Sequence, residues 1–228
     1  METRRVQVGT VPVGGGADIS VQTMWKERLT DDTESVLERL WNLSKIGCAI
    51  IRFAVPDADA AERLSHIARR SPIPVVADIH FDYRLALSCI EGGVQKVRIN
   101  PGNIGASWKV EEVVRAASDR GIPLRVGVNS GSLPKELRAE HDTAAAMVKA
   151  AEKEMELFEQ LSFRDVVYSL KSSDIDTTVR ANRLFSQQYP FPLHLGVTEA
   201  GPLIPGVVKS SVAISMLIRE SIGDTIRV

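Results

Sequence analysis

Pro74-Val75-Val76-Ala77-Asp78-Ile79-His80-Phe81-Asp82-Tyr83-Arg84-Leu85-Ala86-Leu87-Ser88-Cys89-Ile90-Glu91-Gly92-Gly93-Val94-Gln95-Lys96-Val97-Arg98-Ile99-Asn100 reads as one strand–helix–strand unit. Residues 74–80 and 96–100 are short, largely β-branched runs, and 83–91 carries apolar residues at helical spacing. Two strands joined by a helix within about 30 residues must run parallel, because the crossover consumes the helix. Strands buried on both faces are expected to be apolar throughout. These two break that rule at their C-terminal ends, one with Asp78 and His80, the other with Arg98 and Asn100. Side chains two apart share a face, so each polar pair points one way while Ile79, Val97 and Ile99 point the other.

The same rhythm extends in both directions. Candidate strands lie at 19–24, 49–55, 74–80, 96–100, 123–129, 165–171, 192–199 and 225–228, spaced 22 to 33 residues apart except for one gap of 42. Amphipathic helices are expected at 32–45, 58–69, 83–91, 108–120, 143–159, 174–187 and 207–220. Thr30, Asp57 and Asp142 suit N-caps, and Gly47, Gly92, Gly121 and Gly223 suit left-handed C-caps. Eight parallel strands favour a closed (β/α)8 barrel of the TIM type over an open doubly wound sheet, and the first strand–helix turn lacks a Gly-x-Gly-x-x-Gly phosphate loop. Residues 1–17 are expected to form a hairpin across the barrel floor, with Gly14-Gly15-Gly16 as a turn, and 18–228 the barrel. The chain ends at Val228, in the eighth strand, with no eighth helix behind it, so an apolar strip of the barrel wall is expected to need another cover.

Composition narrows the function classes. The 228 residues include 28 basic and 29 acidic side chains, for a net charge of -1, so no overall field attracts nucleic acid or an anionic membrane. No apolar run approaches the ~18 residues of a membrane span, and the N-terminus has no apolar stretch of the kind a secretory signal needs. Cys48 and Cys89 lack a Cys-x-x-Cys partner and read as buried thiols of a cytoplasmic protein, not as metal ligands.

Strand parity collects a polar set at one end of the barrel. Arg52, Asp78, His80, Arg98, Asn100, Arg125, Asn129, Lys171, His194, Thr198, Glu199 and Arg227 all fall near strand C-termini, where barrel active sites are built. Five cations there face only Asp78 and Glu199. Burying them unpaired is costly, and the planar fork of arginine suits phosphate oxygens, so a phosphate or diphosphate ligand is expected. Lys96, deeper in its strand, reads as structural. Pro101-Gly102-Asn103-Ile104-Gly105 is expected to be a loop whose backbone can approach the ligand, and Lys209-Ser210-Ser211 an anion site or cap at a helix start.

ISVQTM (19–24), GCAIIRFAVP (47–56), VADIHFDYRLAL (76–87), KVRINPGNIG (96–105), RVGVNSGSL (125–133), LHLGVTEAG (193–201) and IGDTIRV (222–228) together resemble the barrel domain of the 4-hydroxy-3-methylbut-2-en-1-yl diphosphate synthase family. These are the iron–sulfur reductases of the methylerythritol phosphate route to isoprenoids, and the resemblance runs from about Arg5 to Val228. It implies an oxidoreductase whose substrate is 2-C-methyl-D-erythritol 2,4-cyclodiphosphate, opened by two-electron reduction with loss of water. It also implies a substrate pocket of Arg52, Asp78, His80, Arg98, Asn100, Arg125, Asn129, Lys171, Thr198, Glu199 and Arg227. Ferredoxin or flavodoxin is the implied electron donor, and a homodimer the implied assembly.

The departures from the family pattern matter equally. The family holds a [4Fe-4S] cluster in a second domain, on three cysteines and a glutamate, and neither Cys48 nor Cys89 matches those ligands. The eighth strand of relatives continues into a diphosphate-binding serine, one residue beyond Val228. Trp25-Lys26-Glu27-Arg28-Leu29 replaces a Thr/Asn-rich stretch, leaving Lys26 as a candidate extra phosphate contact. The resemblance thus predicts a chain that binds substrate without reducing it. Two other readings share the architecture: a pterin-dependent transferase of the dihydropteroate synthase type, and a non-catalytic diphosphate-binding truncation.

Overall fold

The computed structural model describes residues 2–228. Its first element is a hairpin of β1 (Val6–Val8) and β2 (Val11–Val13), paired antiparallel with Val6 opposite Val13 and Val8 opposite Val11. Alternation turns Val6, Val8 and Val13 to one face, where they pack on Ile50, Val76 and Val167 from the barrel interior. The hairpin therefore plugs the barrel at the N-terminal ends of its strands.

The barrel strands and helices then alternate. They are β3 (Ser20–Trp25), α1 (Thr33–Lys45), β4 (Ile50–Ala54), α2 (Ala58–Arg70), β5 (Val75–Asp78) and α3 (Tyr83–Gly92). There follow β6 (Lys96–Ile99), α4 (Pro101–Ile104), α5 (Ser107–Asp119), β7 (Leu124–Asn129) and α6 (Thr143–Gln160). The last are β8 (Val166–Lys171), α7 (Ile175–Gln188), β9 (His194–Leu195), α8 (Leu203–Ile218) and β10 (Thr225–Ile226). Eight strands pair in parallel in the order β8-β7-β6-β5-β4-β3-β10-β9. A parallel bridge between Tyr168 and Leu193, with Tyr168 N donating to Pro192 O at 2.9 Å, brings β9 back to β8 and closes the circle. Ile51, Phe53, Val97, Ile99, Val126 and Leu170 face outward into the strand–helix core, as parity requires.

Several local expectations need correction. The α1 N-cap is Asp32, whose carboxylate accepts from Ser35 N at 3.1 Å; Thr30 lies two residues too early. Asp57 and Asp142 do cap α2 and α6. The left-handed residue after α3 is Gly93 (φ 91°), not Gly92. Gly92 is still helical, and a Cβ there would lie 1.9 Å from Ser65 Oγ, so its role is the close approach of α3 to α2. The stretch 101–105 contains a short helical turn, α4, rather than an open loop. Helix α8 begins at Leu203, four residues before the expected start. Pro205 and Gly206 read as breakers, but a proline in the first helical turn loses no hydrogen bond. Lys209-Ser210-Ser211 consequently lies mid-helix, with Ser210 buried, and is no helix-start anion site.

The strand expected at 192–199 shrinks to His194–Leu195. A Cβ at Gly196 would fall 2.4 Å from Arg227 O, so the chain passes β10 too closely to carry a side chain and then leaves the sheet. Helices pack α1 on α2, α2 on α3, α3 on α5, α6 on α7 and α7 on α8. No helix of residues 2–228 follows β10, and Ile19 just before β3 and Val21 within it are exposed, with Val208 and Val212 of α8.

Candidate anion-binding site

Parity and register aim a column of side chains into the barrel. Arg52 of β4, Asp78 of β5, Lys96 and Arg98 of β6, Arg125 of β7, Ser169 and Lys171 of β8, and His194 of β9 are all buried. Arg98 stands opposite Asp78 on one side and Arg125 on the other, and Asn129 stands opposite Lys171. All lie above the valine floor.

Asp78 is the hub. Its Oδ1 accepts from Arg98 Nη1 at 2.9 Å, Arg52 Nε lies 3.3 Å from Oδ2, and His80 Nε2 lies 3.6 Å from Oδ2. Burial alone would push this carboxyl up. The nearby imidazole of His80 and the charges of Arg98, Arg52 and Arg125 outweigh it and hold the group far below the usual carboxylate range. One buried carboxylate is therefore shared by two guanidinium groups and an imidazole. The Arg52 approach is an ion pair without hydrogen-bond alignment, so Arg52 Nε stays unpartnered.

The remaining cations have no carboxylate in contact. Arg125 donates to Ser169 Oγ through Nε at 3.2 Å and Nη2 at 2.8 Å, leaving Nη1 free. Arg98 lies across Gly127, where a Cβ would come within 3.2 Å of Nη2, and its own Nε is free. Arg52 Nη2 rests 2.9 Å from Met24 Sδ. Burial pushes the Arg52 guanidinium down to about 10, against the pull of Asp78 and helped by Arg227 and Arg98. Burial pushes Arg125 and Lys171 well down, and their cationic neighbours act in the same direction. A guanidinium does not give up its proton in proteins, so the strain is borne as unmet demand for an anion.

The sequence-predicted residues of the pocket divide into three groups, with Glu199 apart from them. Arg52, Asp78, His80 and Arg98 are in direct contact. Arg125, Lys171 and the half-buried Arg227 join them through mutual charge effects. Asn100, Asn129 and Thr198 are half-buried at the rim, and Asn100 occupies the N-cap position of α4 without a side-chain capping bond. Glu199 is exposed in the loop after β9, with a left-handed backbone (φ 50°) that non-glycine residues rarely adopt. Lys26 is exposed and lines a cavity of about 520 Å3 with Arg39, Leu43, Ile46 and Ile51, on the outer wall.

Ser169, Gly127 and Met24 were not anticipated. For Ser169 and Gly127 the signal existed in parity: Ser169 is two residues before Lys171, Gly127 lies between Arg125 and Asn129, and all three of those neighbours point inward. A smaller cavity of about 280 Å3 sits beside the mouth in the strand–helix layer, lined by Asn100, Gly102, Asn103, Lys135, Arg138 and Glu154. It lies off the arginine cluster. Among the described residues no group of three or more His, Cys, Asp or Glu is placed to hold a metal ion. Cys48 and Cys89 are buried, and burial pushes the Cys89 thiol up to about 12, which is the reverse of what an iron–sulfur ligand needs. Residues 2–228 thus do not fit a [4Fe-4S] cluster. None of the described helices is long and apolar enough to cross a membrane.

Comparison with known proteins bears on this geometry. The chain is 53% identical to the 4-hydroxy-3-methylbut-2-en-1-yl diphosphate synthase (flavodoxin) of Thermodesulfovibrio yellowstonii, over 100% of its own length and 65% of that protein. It is 51% identical to the protein of the same name from Geobacter sulfurreducens, again over 100% of itself and 65% of the relative. The chain therefore spans about two thirds of the length of these relatives, a little under. In three dimensions it is similar to the dihydropteroate synthase of Yersinia pestis, with a TM-score of 0.70 and 10% identity over 98% of this chain and 90% of that one. That likeness speaks for the barrel alone. The sequence match is of another order: the family model described as the GcpE TIM-barrel domain fits residues 3–228, and so the chain belongs to the GcpE TIM-barrel family.

Proposed function

We propose that this chain is the substrate-binding barrel of a 4-hydroxy-3-methylbut-2-en-1-yl diphosphate synthase, and that its mouth binds 2-C-methyl-D-erythritol 2,4-cyclodiphosphate. The observation that carries the reading is the imbalance inside the barrel. Buried Arg52, Arg98, Arg125 and Lys171 meet a single carboxylate, and three guanidinium groups keep unpartnered N–H groups. An anionic ligand with several oxygens would satisfy those donors together. Residues 18–228 form the binding barrel in this reading, with 1–17 as its floor.

The roles divide by chemistry. Arg52, Arg98, Arg125, Lys171 and Arg227 hold phosphate oxygens, and Asp78 keeps Arg52 and Arg98 in place. His80, Asn100, Asn129 and Thr198 supply hydrogen bonds around the ligand, and Glu199 brings the rim its acidic group. This binding fixes the substrate ring and lets burial strengthen every charge contact. The reaction of the whole protein is a two-electron reductive ring opening with loss of water. Its electrons come from a [4Fe-4S] cluster carried by residues outside 2–228. The names of both relatives favour flavodoxin over ferredoxin as donor. The whole protein works as a cytoplasmic homodimer, and residues 1–228 alone bind substrate but do not turn it over.

Calorimetric titration of the chain with the cyclic diphosphate, and separately with a dihydropterin, tests the reading. Saturable 1:1 binding of the diphosphate with no pterin heat is expected. Pterin binding without diphosphate binding would refute it, as would turnover by residues 1–228 with a chemical reductant and no added cluster protein.

A further inference from the structure

Below the arginines lies an inward cation that the proposed site does not use. Lys96 is two residues before Arg98 on β6, so both side chains enter the barrel, and its register partner is Val76 of the floor. It is fully buried, and its Nζ has no hydrogen-bond partner. The charged and titratable groups facing this interior are Arg52 from β4, Asp78 from β5, Arg98 from β6 itself, Arg125 from β7, Lys171 from β8, His194 from β9 and Arg227 after β10. Strand β3 adds only uncharged Ser20, Gln22 and Met24, and the hairpin adds valines. The sole carboxylate is already shared by Arg52, Arg98 and His80.

An ammonium in that position would be a buried charge among cations, with no counter-ion in contact. A guanidinium cannot escape such a position, but a primary amine can, by losing its proton. Burial first, and then the charges of Arg125 and Arg52, push the Lys96 amine down to about 7. His194 faces the same space with both ring nitrogens unpartnered. Burial and the charges of Lys171, Arg125, Lys96 and Arg52 drive its imidazole well below an already lower starting point. The lysine therefore takes a proton before the histidine does. A polyanion at the mouth reverses the balance, because it offsets Arg125 and Arg52, the two charges that most disfavour the ammonium.

We propose that Lys96 is a reserve cation of the binding site, uncharged in the empty barrel and protonated when a diphosphate-class anion fills the mouth. This rests on the diphosphate reading above and deepens it. Lys171, pushed down in the same direction by burial and by Arg125, Arg227, Arg52 and Arg98, stands nearer the mouth; Lys96 adds its charge from behind. The net step is uptake of solvent protons with the anion, and no bond to the ligand forms.

The test is calorimetry of the full polypeptide with inorganic pyrophosphate at pH 7.5, in two buffers of different ionisation enthalpy. Comparison of wild type with Lys96→Met cancels the ligand's own titration. Wild type is expected to take up at least half a proton more per ligand and to bind about five- to tenfold more tightly. Equal uptake in the two proteins overturns the inference. With the Lys96 side chain assigned through its backbone, nuclear magnetic resonance of 13C,15N-labelled wild type needs no variant. Lys96 is expected at an amine-like shift in the empty barrel at pH 8, moving to an ammonium shift on saturation with pyrophosphate. An ammonium shift for Lys96 in the empty barrel overturns the inference while leaving the diphosphate site intact. Failure of pyrophosphate to bind at all overturns the diphosphate reading itself.

Discussion

Asp78 accepts a hydrogen bond from Arg98 and stands within ion-pair distance of Arg52 and His80 while almost wholly buried, and much of the site's stability passes through it. Its carboxyl is held below its ordinary value, so its contribution is fully present above the unfolded value near 4 and is lost as pH falls through the depressed folded one. Asp78→Asn is expected to destabilise the fold by about 3 kcal/mol at pH 7, because it strands two buried guanidinium groups. Its stability should also depend less on pH below 4, as followed by chemical denaturation across pH. Pyrophosphate should raise the variant's Tm more than the wild type's, since the anion replaces the lost charge. Ser169 offers a cleaner probe of geometry. Ser169→Ala removes both hydrogen bonds of Arg125 and should weaken pyrophosphate binding by about five- to tenfold, equivalent to about 1 kcal/mol, in the same titration. The arginines, Asp78 and His80 were legible as polar residues breaking an apolar strand pattern. Ser169 and Gly127 were not, because a serine or glycine in a strand carries no charge to draw attention, although their parity placed them on the same face.

At the scale of elements, the alternation of strand and helix was readable because period 2 and period 3.6 differ so clearly along this chain. The errors cluster where a residue's usual meaning is overridden by its position. Pro205 and Gly206 look like breakers but sit in the first turn of α8, where a proline is tolerated. Thr198 and Glu199 look like strand residues, but the close passage of Gly196 by Arg227 ends the strand early. Gly92 looks like a C-cap but is the point at which α3 touches α2. That last assignment is testable: Gly92→Ala should cost about 2 kcal/mol in urea unfolding through overpacking against Ser65. Adding Ser65→Gly should recover most of the loss, in excess of the effect that Ser65→Gly has alone. A Gly92 that acted only as a cap would show no such recovery.

The whole molecule is a barrel closed below by valines and open above onto cations. Its net charge of -1 gives no hint of this, because surface acids balance the interior bases. The number and direction of its strands followed from the sequence. How the barrel closes did not, since it depends on a single bridge between Tyr168 and Leu193 and on a β9 of two residues. The cationic cluster, which we propose binds an anion, follows from the closed topology, which brings strands far apart in sequence to one mouth and leaves their arginines one carboxylate to share. A crystal structure of the polypeptide with inorganic pyrophosphate tests that claim most directly. The ligand is predicted at the C-terminal ends of the strands, within hydrogen-bond distance of Arg52, Arg98 and Arg125. Pyrophosphate found instead in the side cavity lined by Lys135 and Arg138, with the arginine cluster unliganded, would contradict it.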